Sequence, residues 1–483
     1  MSEKSLKEKT FSGLGWSSVD KIFQQIVVLV SGITLARMLS LEDYGLIGLV
    51  AIFSGLSNVL IDSGFTAALI RKKNVTQSDY LTVFYSNITV ATFLYLVLFF
   101  CAPLISNYYD EPILTPLSRI VFLSFLFSAF GVVQNAKLLK EINYKLITKS
   151  NIVAILISYS VALALAWLGY GFWALAAQIV IQPLVKTCYF WIFTRWKPTG
   201  SFSKESLKEF LSFSASIAVG GILGTINTNI PQNVLGKVYS NGIVGLYNQA
   251  NRLFNTVSDF LFGSILSVPY STLSTIDDEE RLKRVFRKFV RIKSFVVFPM
   301  FMGIILVADS FVNVLLGSKW NDAVPILQLL CIGGIFNALD TSSGDMLKIK
   351  GKSQIILLFI FLQTVFIVGA IALTILLKLD YIWLIAMISS VYIFKYVIQC
   401  IITCRMIDYK FTESFMDLFP YFTVTLISIG IGYGMSYFIS HKLILMLVQI
   451  PLVATVYIGS LYFLGSAIIK ELIDVLKKKT VEN

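Results

Sequence analysis

The chain holds a single histidine, His441, in 483 residues, and it stands between apolar runs where a helix is expected to begin or end. A histidine-based catalytic triad and a histidine-rich metal site are thereby excluded. Charge is also scarce, at 14% of residues, and no extended polar stretch could form a soluble catalytic domain. The longest segments expected outside the membrane on the far face, such as "NYYDEPILTP" (107–116), are about ten residues long. They are too short for the catalytic acids of a membrane glycosyltransferase or polymerase, so no enzyme and no cofactor is expected. All five cysteines (Cys101, Cys188, Cys331, Cys400 and Cys404) lie in apolar runs. Cys400 and Cys404 are one helical turn apart, a poor geometry for a disulfide, so packing roles are expected. The opening "MSEKSLKEKT" is not followed by a short apolar core with a small-residue cleavage site. The first apolar segment is therefore expected to stay as the first helix.

What is abundant is apolar: 56% of residues are hydrophobic and the mean hydropathy is +0.77. That composition defines an all-α integral membrane protein, because a lipid-spanning helix needs about 20 such residues and these runs follow one another along the chain. Fourteen spans are expected, near 11–37, 44–69, 80–106, 114–138, 146–168, 171–194, 208–236, 242–273, 292–317, 323–347, 354–378, 382–405, 415–440 and 443–469. Most of the 40 basic residues fall in alternate connections, and the intervening ones hold only Arg37, Lys237, Lys319, Lys378 and Lys442. By the positive-inside rule both termini are expected in the cytoplasm. The net charge of +12 is then a matter of topology and of anionic lipid, not of nucleic acid. Within 277–294, Leu282, Val285, Phe286, Phe289 and Val290 repeat at helical spacing, which predicts an amphipathic helix at the inner interface.

Two short patterns recur. "SLKE" opens at Ser5 and again at Ser206, and Gly45-Leu46 returns as Gly245-Leu246. The expected organisation is two six-helix lobes, 1–196 and 207–410, related as parallel repeats and joined by a Pro/Gly/Ser linker at 197–206. Two further helices and a basic tail (411–483) complete it.

Charges inside the spans point to function. One at mid-membrane costs about 2.5–3.5 kcal/mol on insertion scales, so such residues normally face a bundle interior or a wet cavity. The basic ones are Lys21, Arg119, Lys186, Arg252 and Lys395. Lys21 follows Asp20 and shares its helix with Gln24 and Gln25, while Asn248, Arg252, Asn255 and Asp259 repeat at helical spacing on the eighth span. Gln178, Gln182 and Lys186 do so on the sixth, Asp340 and Asp345 mark the tenth, and Tyr392 and Lys395 the twelfth. Such stripes either hold helices together or line a common hydrophilic chamber.

The stretch 35–74 resembles the first hairpin of the polysaccharide-transporter branch of the multidrug/oligosaccharidyl-lipid/polysaccharide exporter superfamily, close to Wzx-type flippases and the colanic-acid and teichuronic-acid exporters. The residues that carry the likeness are Leu35-Ala36-Arg37, Leu39-Ser40, Asp43-Tyr44-Gly45-Leu46, Asp62, Gly64-Phe65, Ala68-Leu69-Ile70 and Lys72-Lys73. The resemblance implies a bacterial inner-membrane exporter that moves an undecaprenyl-diphosphate-linked oligosaccharide to the outer leaflet, with the polysaccharide polymerase machinery downstream. A diphosphate needs cationic partners. Lys21, Arg252, Lys186 and Lys395 are the candidates for it, with Lys21 and Arg252 on the helices that the likeness favours. Gln24, Gln25, Asn248, Asn255, Gln178, Gln182 and Tyr392 are candidates for the sugars. Asp20, Asp259, Asp340 and Asp345 are candidates for coupling to a proton or Na⁺. The competing expectation is a cation-coupled multidrug-type antiporter of the same superfamily.

Overall fold

In a computed structural model of the protein, residues 3–62, 65–264, 273, 275–276 and 278–471 are described. The side chain of Asp62, residue Gly64 and the tail beyond 471 lie outside that set. No strand occurs among the described residues. The helices are α1 (Glu3–Met38), α2 (Leu41–Asp62), α3 (Phe65–Arg71), α4 (Gln77–Tyr109), α5 (Leu114–Val121), α6 (Leu123–Ala129), α7 (Val132–Lys140), α8 (Tyr144–Trp167) and α9 (Phe172–Thr194). They continue with α10 (Lys204–Val238), α11 (Asn241–Ser264), α12 (Glu279–Leu315), α13 (Ala323–Ile349), α14 (Ser353–Leu376), α15 (Tyr381–Met406), α16 (Phe411–Gly434) and α17 (Lys442–Phe463).

Among the described residues, eleven helical runs are long and apolar enough to cross a membrane, or twelve if the bent α5–α7 region counts as one. This is a multi-pass membrane protein. The expected count of fourteen is not reached, because α10 and α11 fall outside the set despite lengths of 35 and 24 residues. Their composition gives the reason: α10 carries Asn227, Asn229, Gln232 and Asn233, and α11 carries Asn248, Asn251, Arg252, Asn255 and Asp259.

The chain divides into two compact units, 1–248 and 249–483. In the first, the signature residues of the 35–74 stretch have mechanical roles. The Asp43 carboxylate accepts from the Ser40 backbone N–H at 2.8 Å, and the Ser40 hydroxyl accepts from the Asp43 N–H at 3.1 Å. That reciprocal pair caps the start of α2. A Cβ on Gly45 would fall on the backbone carbonyl of Asn241, and one on Gly245 on the carbonyl of Leu41. The two recurring glycines therefore let the first turns of α2 and α11 cross at backbone distance.

The 197–206 segment is pinned. The Gln77 amide donates to the Lys197 carbonyl at 2.8 Å, the Ser78 hydroxyl to the Ser201 carbonyl at 2.6 Å, and the Ser203 N–H to the Thr82 hydroxyl at 2.9 Å. Beside it, Lys72 pairs with Asp79 and Glu209, both at 3.0 Å. Burial alone would lower the Lys72 ammonium, but the hydrogen bonds to Glu209 and Asp79 hold it above its ordinary value.

In the second unit the amphipathic 277–294 stretch, of which 278–294 is described, is not a separate helix. It is the first part of the 37-residue α12. Its apolar side, Leu282, Phe286 and Val290, is buried in protein. Its basic side docks on α16, where Arg287 grips Asp417 through Nε at 2.8 Å and Nη2 at 3.1 Å, and Arg291 and Tyr409 reach the same carboxylate at 2.5 Å. Charge-assisted forks of this kind hold a helix better than an amphipathic face alone.

Candidate functional site

The polar half of α1 has two jobs. Asp20 accepts from the Gln24 amide at 2.7 Å and from the Asn151 amide of α8 at 2.8 Å, while the Thr148 hydroxyl donates to the Trp16 carbonyl at 3.0 Å. These bonds fasten α1 to α8, so Asp20 and Gln24 are structural within this unit. Lys21 is exposed, and no described residue accepts a hydrogen bond or ion pair from it. Gln25 is half-buried. Asn248 donates to the Tyr44 carbonyl at 3.0 Å, and the Gln232 amide donates to the Gly48 carbonyl, so Asn248 belongs to the α2 crossing.

On α9, Gln178, Gln182 and Lys186 are half-buried. Lys186 lies 5.7 Å from the Phe190 ring centroid and lines a cavity of about 170 Å³ with Asn58, Ser128, Asn135 and Thr187. Neither Asn58 nor Asn135 uses its side chain on another described residue. Arg119 stacks on Phe99 at 4.2 Å.

In the second unit, α11 carries Arg252, half-buried, and Asn255 and Asp259, both exposed. Lys395 was expected to face a diphosphate; its Nζ instead lies 3.2 Å from the buried carboxylate of Asp340. Asp345 is likewise engaged, by Lys348 at 3.1 Å. Lys293 completes a cluster that sequence reasoning missed. It is 1% exposed and donates to the Thr341 hydroxyl at 2.7 Å. The signal was its register, because Leu282, Phe286, Val290 and Lys293 fall on one helical face. Tyr392, on α15, is half-buried and hydrogen-bonds Gln363 of α14.

A second cavity, about 400 Å³, is almost wholly apolar and lies between α11, α12, α13 and α17. Leu253, Pro299, Gly303, Phe311, Ile450 and Val453 are among its walls. No group of three metal-ligating side chains occurs among the described residues.

Fold and site together define an all-helical, multi-pass membrane protein with cations at membrane depth and an apolar cavity within one unit. The chain belongs to the polysaccharide biosynthesis protein family, which matches residues 34–325. It is 28% identical over 374 residues to the lipopolysaccharide biosynthesis protein WzxC of Escherichia coli K12, covering 76% of this chain and 75% of that one. To the teichuronic acid biosynthesis protein TuaB of Bacillus subtilis it is 24% identical over 354 residues, 73% of each chain. Its fold matches that of the lipid II flippase MurJ in an inward closed conformation, with a TM-score of 0.75, 16% identity, and coverage of 94% of this chain and 99% of that one.

Proposed function

We propose that the protein is a flippase of the bacterial cytoplasmic membrane that carries undecaprenyl-diphosphate-linked oligosaccharide repeat units to the outer leaflet by alternating access. The observation that carries this reading is Lys21: an exposed ammonium at membrane depth whose neighbouring carboxylate, Asp20, is already held by two amides. A cation left available in that setting suits an anionic headgroup. The 400 Å³ apolar cavity suits part of an isoprenoid chain, and burying a methylene there contributes about 0.8 kcal/mol. The names of WzxC and TuaB, both tied to surface polysaccharide synthesis, and the lipid II flippase fold support the same cargo class. The repeat lobes are 1–196 and 207–410. Lys21 and, separately, Arg252 are the candidates for the diphosphate. Of the four acidic candidates, Asp259 is assigned to proton or Na⁺ coupling, since Asp20, Asp340 and Asp345 are engaged by neighbours.

Deleting the gene in a strain without a paralogue is expected to strand lipid-linked repeat units on the inner leaflet and abolish surface polysaccharide. Normal surface glycan with impaired drug efflux would instead establish the antiporter. Orientation has its own test. With both termini cytoplasmic, a cysteine placed at Ser201 resists an impermeant reagent added to intact cells and reacts in inverted vesicles. Efficient labelling from outside would reverse the topology.

A further inference from the structure

The repeat allows one residue to be compared with its counterpart. Lys186 and Lys395 stand at the same register from the first residues, Phe172 and Tyr381, of α9 and α15. Lys395 meets Asp340. Counted from the starts of the preceding segments, Leu114 and Ala323, the residue at the register of Asp340 in the first half is Gly131. The position that supplies a carboxylate in one half supplies no side chain in the other. A Cβ on Gly131 would sit 2.6 Å from the Thr187 hydroxyl oxygen, so the glycine makes room for the Thr187 side chain beside a partly polar space.

The space is the 170 Å³ cavity in the first unit. Its chemistry is mixed: the amides of Asn58 and Asn135, the ammonium of Lys186, the Ser128 hydroxyl, and an apolar wall that includes Pro183. The Thr187 hydroxyl donates to the Phe127 carbonyl at 2.7 Å, which leaves its oxygen able to accept. At about 30 Å³ per water the cavity holds several waters, and it is well below the roughly 300–1,000 Å³ of sites for drug-sized ligands. Amides and an ammonium set beside an apolar wall suit a ring that carries hydroxyls on its edges and C–H groups on its faces.

We infer that this cavity is a subsite for one pyranose residue of the transported glycan, held by Asn58, Asn135 and Lys186 through ring hydroxyls and by Pro183 through a ring face. The inference rests on the proposed function for the presence of a glycan and adds to it the place where a sugar is read. It assigns Lys186 to the sugar and not to the diphosphate.

The test uses the full-length protein in lipid nanodiscs and two probes: undecaprenyl diphosphate without sugars, and the glycan-bearing lipid extracted from the deletion strain. Native mass spectrometry measures the binding of each. Asn135→Leu and Asn58→Leu are expected to weaken the glycan-bearing lipid by roughly tenfold, the scale of one good hydrogen bond, and to leave the sugar-free lipid unchanged. Equal weakening of both lipids, or of neither, would overturn the subsite. Wild-type protein that binds neither lipid would overturn the proposed function itself, and the subsite with it. Should Asn135→Leu lower the melting temperature, the exposed Asn58→Leu carries the test alone.

Discussion

Lys21→Gln is expected to cut export of the surface polysaccharide at least about tenfold at unchanged abundance in the membrane, while Lys21→Arg keeps most of it. A hydrogen bond to a charged group contributes about 1.5–3 kcal/mol, and more is lost where water cannot replace the partner. Glutamine keeps a donor, one bond closer to the backbone, but not the charge. Arginine keeps the charge and adds a fork that fits phosphate oxygens. A structural role for Lys21 would have required it to neutralise Asp20, but that carboxylate is satisfied by Gln24 and Asn151. Arg252→Gln is expected to behave in the same way, with Arg252→Lys retaining partial export. Surface polysaccharide measured beside membrane abundance checks the set. A fully active Lys21→Gln would remove the residue from the site, and poor expression of the glutamine variant alone would make it a folding residue.

The helices were legible because apolar runs of membrane length leave the chain few alternatives. Each expected span coincides with a helical region, and the signature glycines and Ser40–Asp43 marked a real turn. What failed to read were the pairings. Nothing local to Lys395 reveals that Asp340, on another helix, lies 3.2 Å away, and nothing local to Asp20 reveals Asn151. At α10 and α11 the expected spans are helical but too polar to count as candidate spans by composition, because side-chain polarity lowers the lipid signal without shortening the helix. In the 278–294 stretch the amphipathic pattern marked a helix, but it showed neither that the helix runs on into the following span nor that Arg287 and Arg291 pair with Asp417. Lys293 shows the opposite case, since it stands among basic neighbours but its register with Leu282, Phe286 and Val290 places it inward.

Gly45→Val and Gly245→Val are each expected to reduce folded protein in the membrane severely. In both cases the added side chain would meet backbone, at the carbonyl of Asn241 or of Leu41, and a backbone carbonyl at the start of a helix cannot swing aside as a long side chain can. Overpacking a filled site costs about 1–3 kcal/mol even where side chains can rearrange. With total stabilities of about 5–15 kcal/mol, a larger cost removes much of the margin. Because both glycines serve one crossing, the damage should not add: once either substitution has pushed α2 and the start of α11 apart, the second meets a gap, and the double variant should be little worse than the worse single one. Gly369 in α14 supplies the control. No atom lies within 4 Å of a Cβ built there, and alanine is favoured over glycine in a helix by about 1 kcal/mol, so Gly369→Ala should be neutral or slightly stabilising. Thermal melting of the detergent-solubilised protein, with membrane abundance as a second readout, tests the four variants together. Wild-type melting in Gly45→Val would show that α2 and α11 do not cross at backbone distance; losses that add in the double variant would show that the glycines act at separate places.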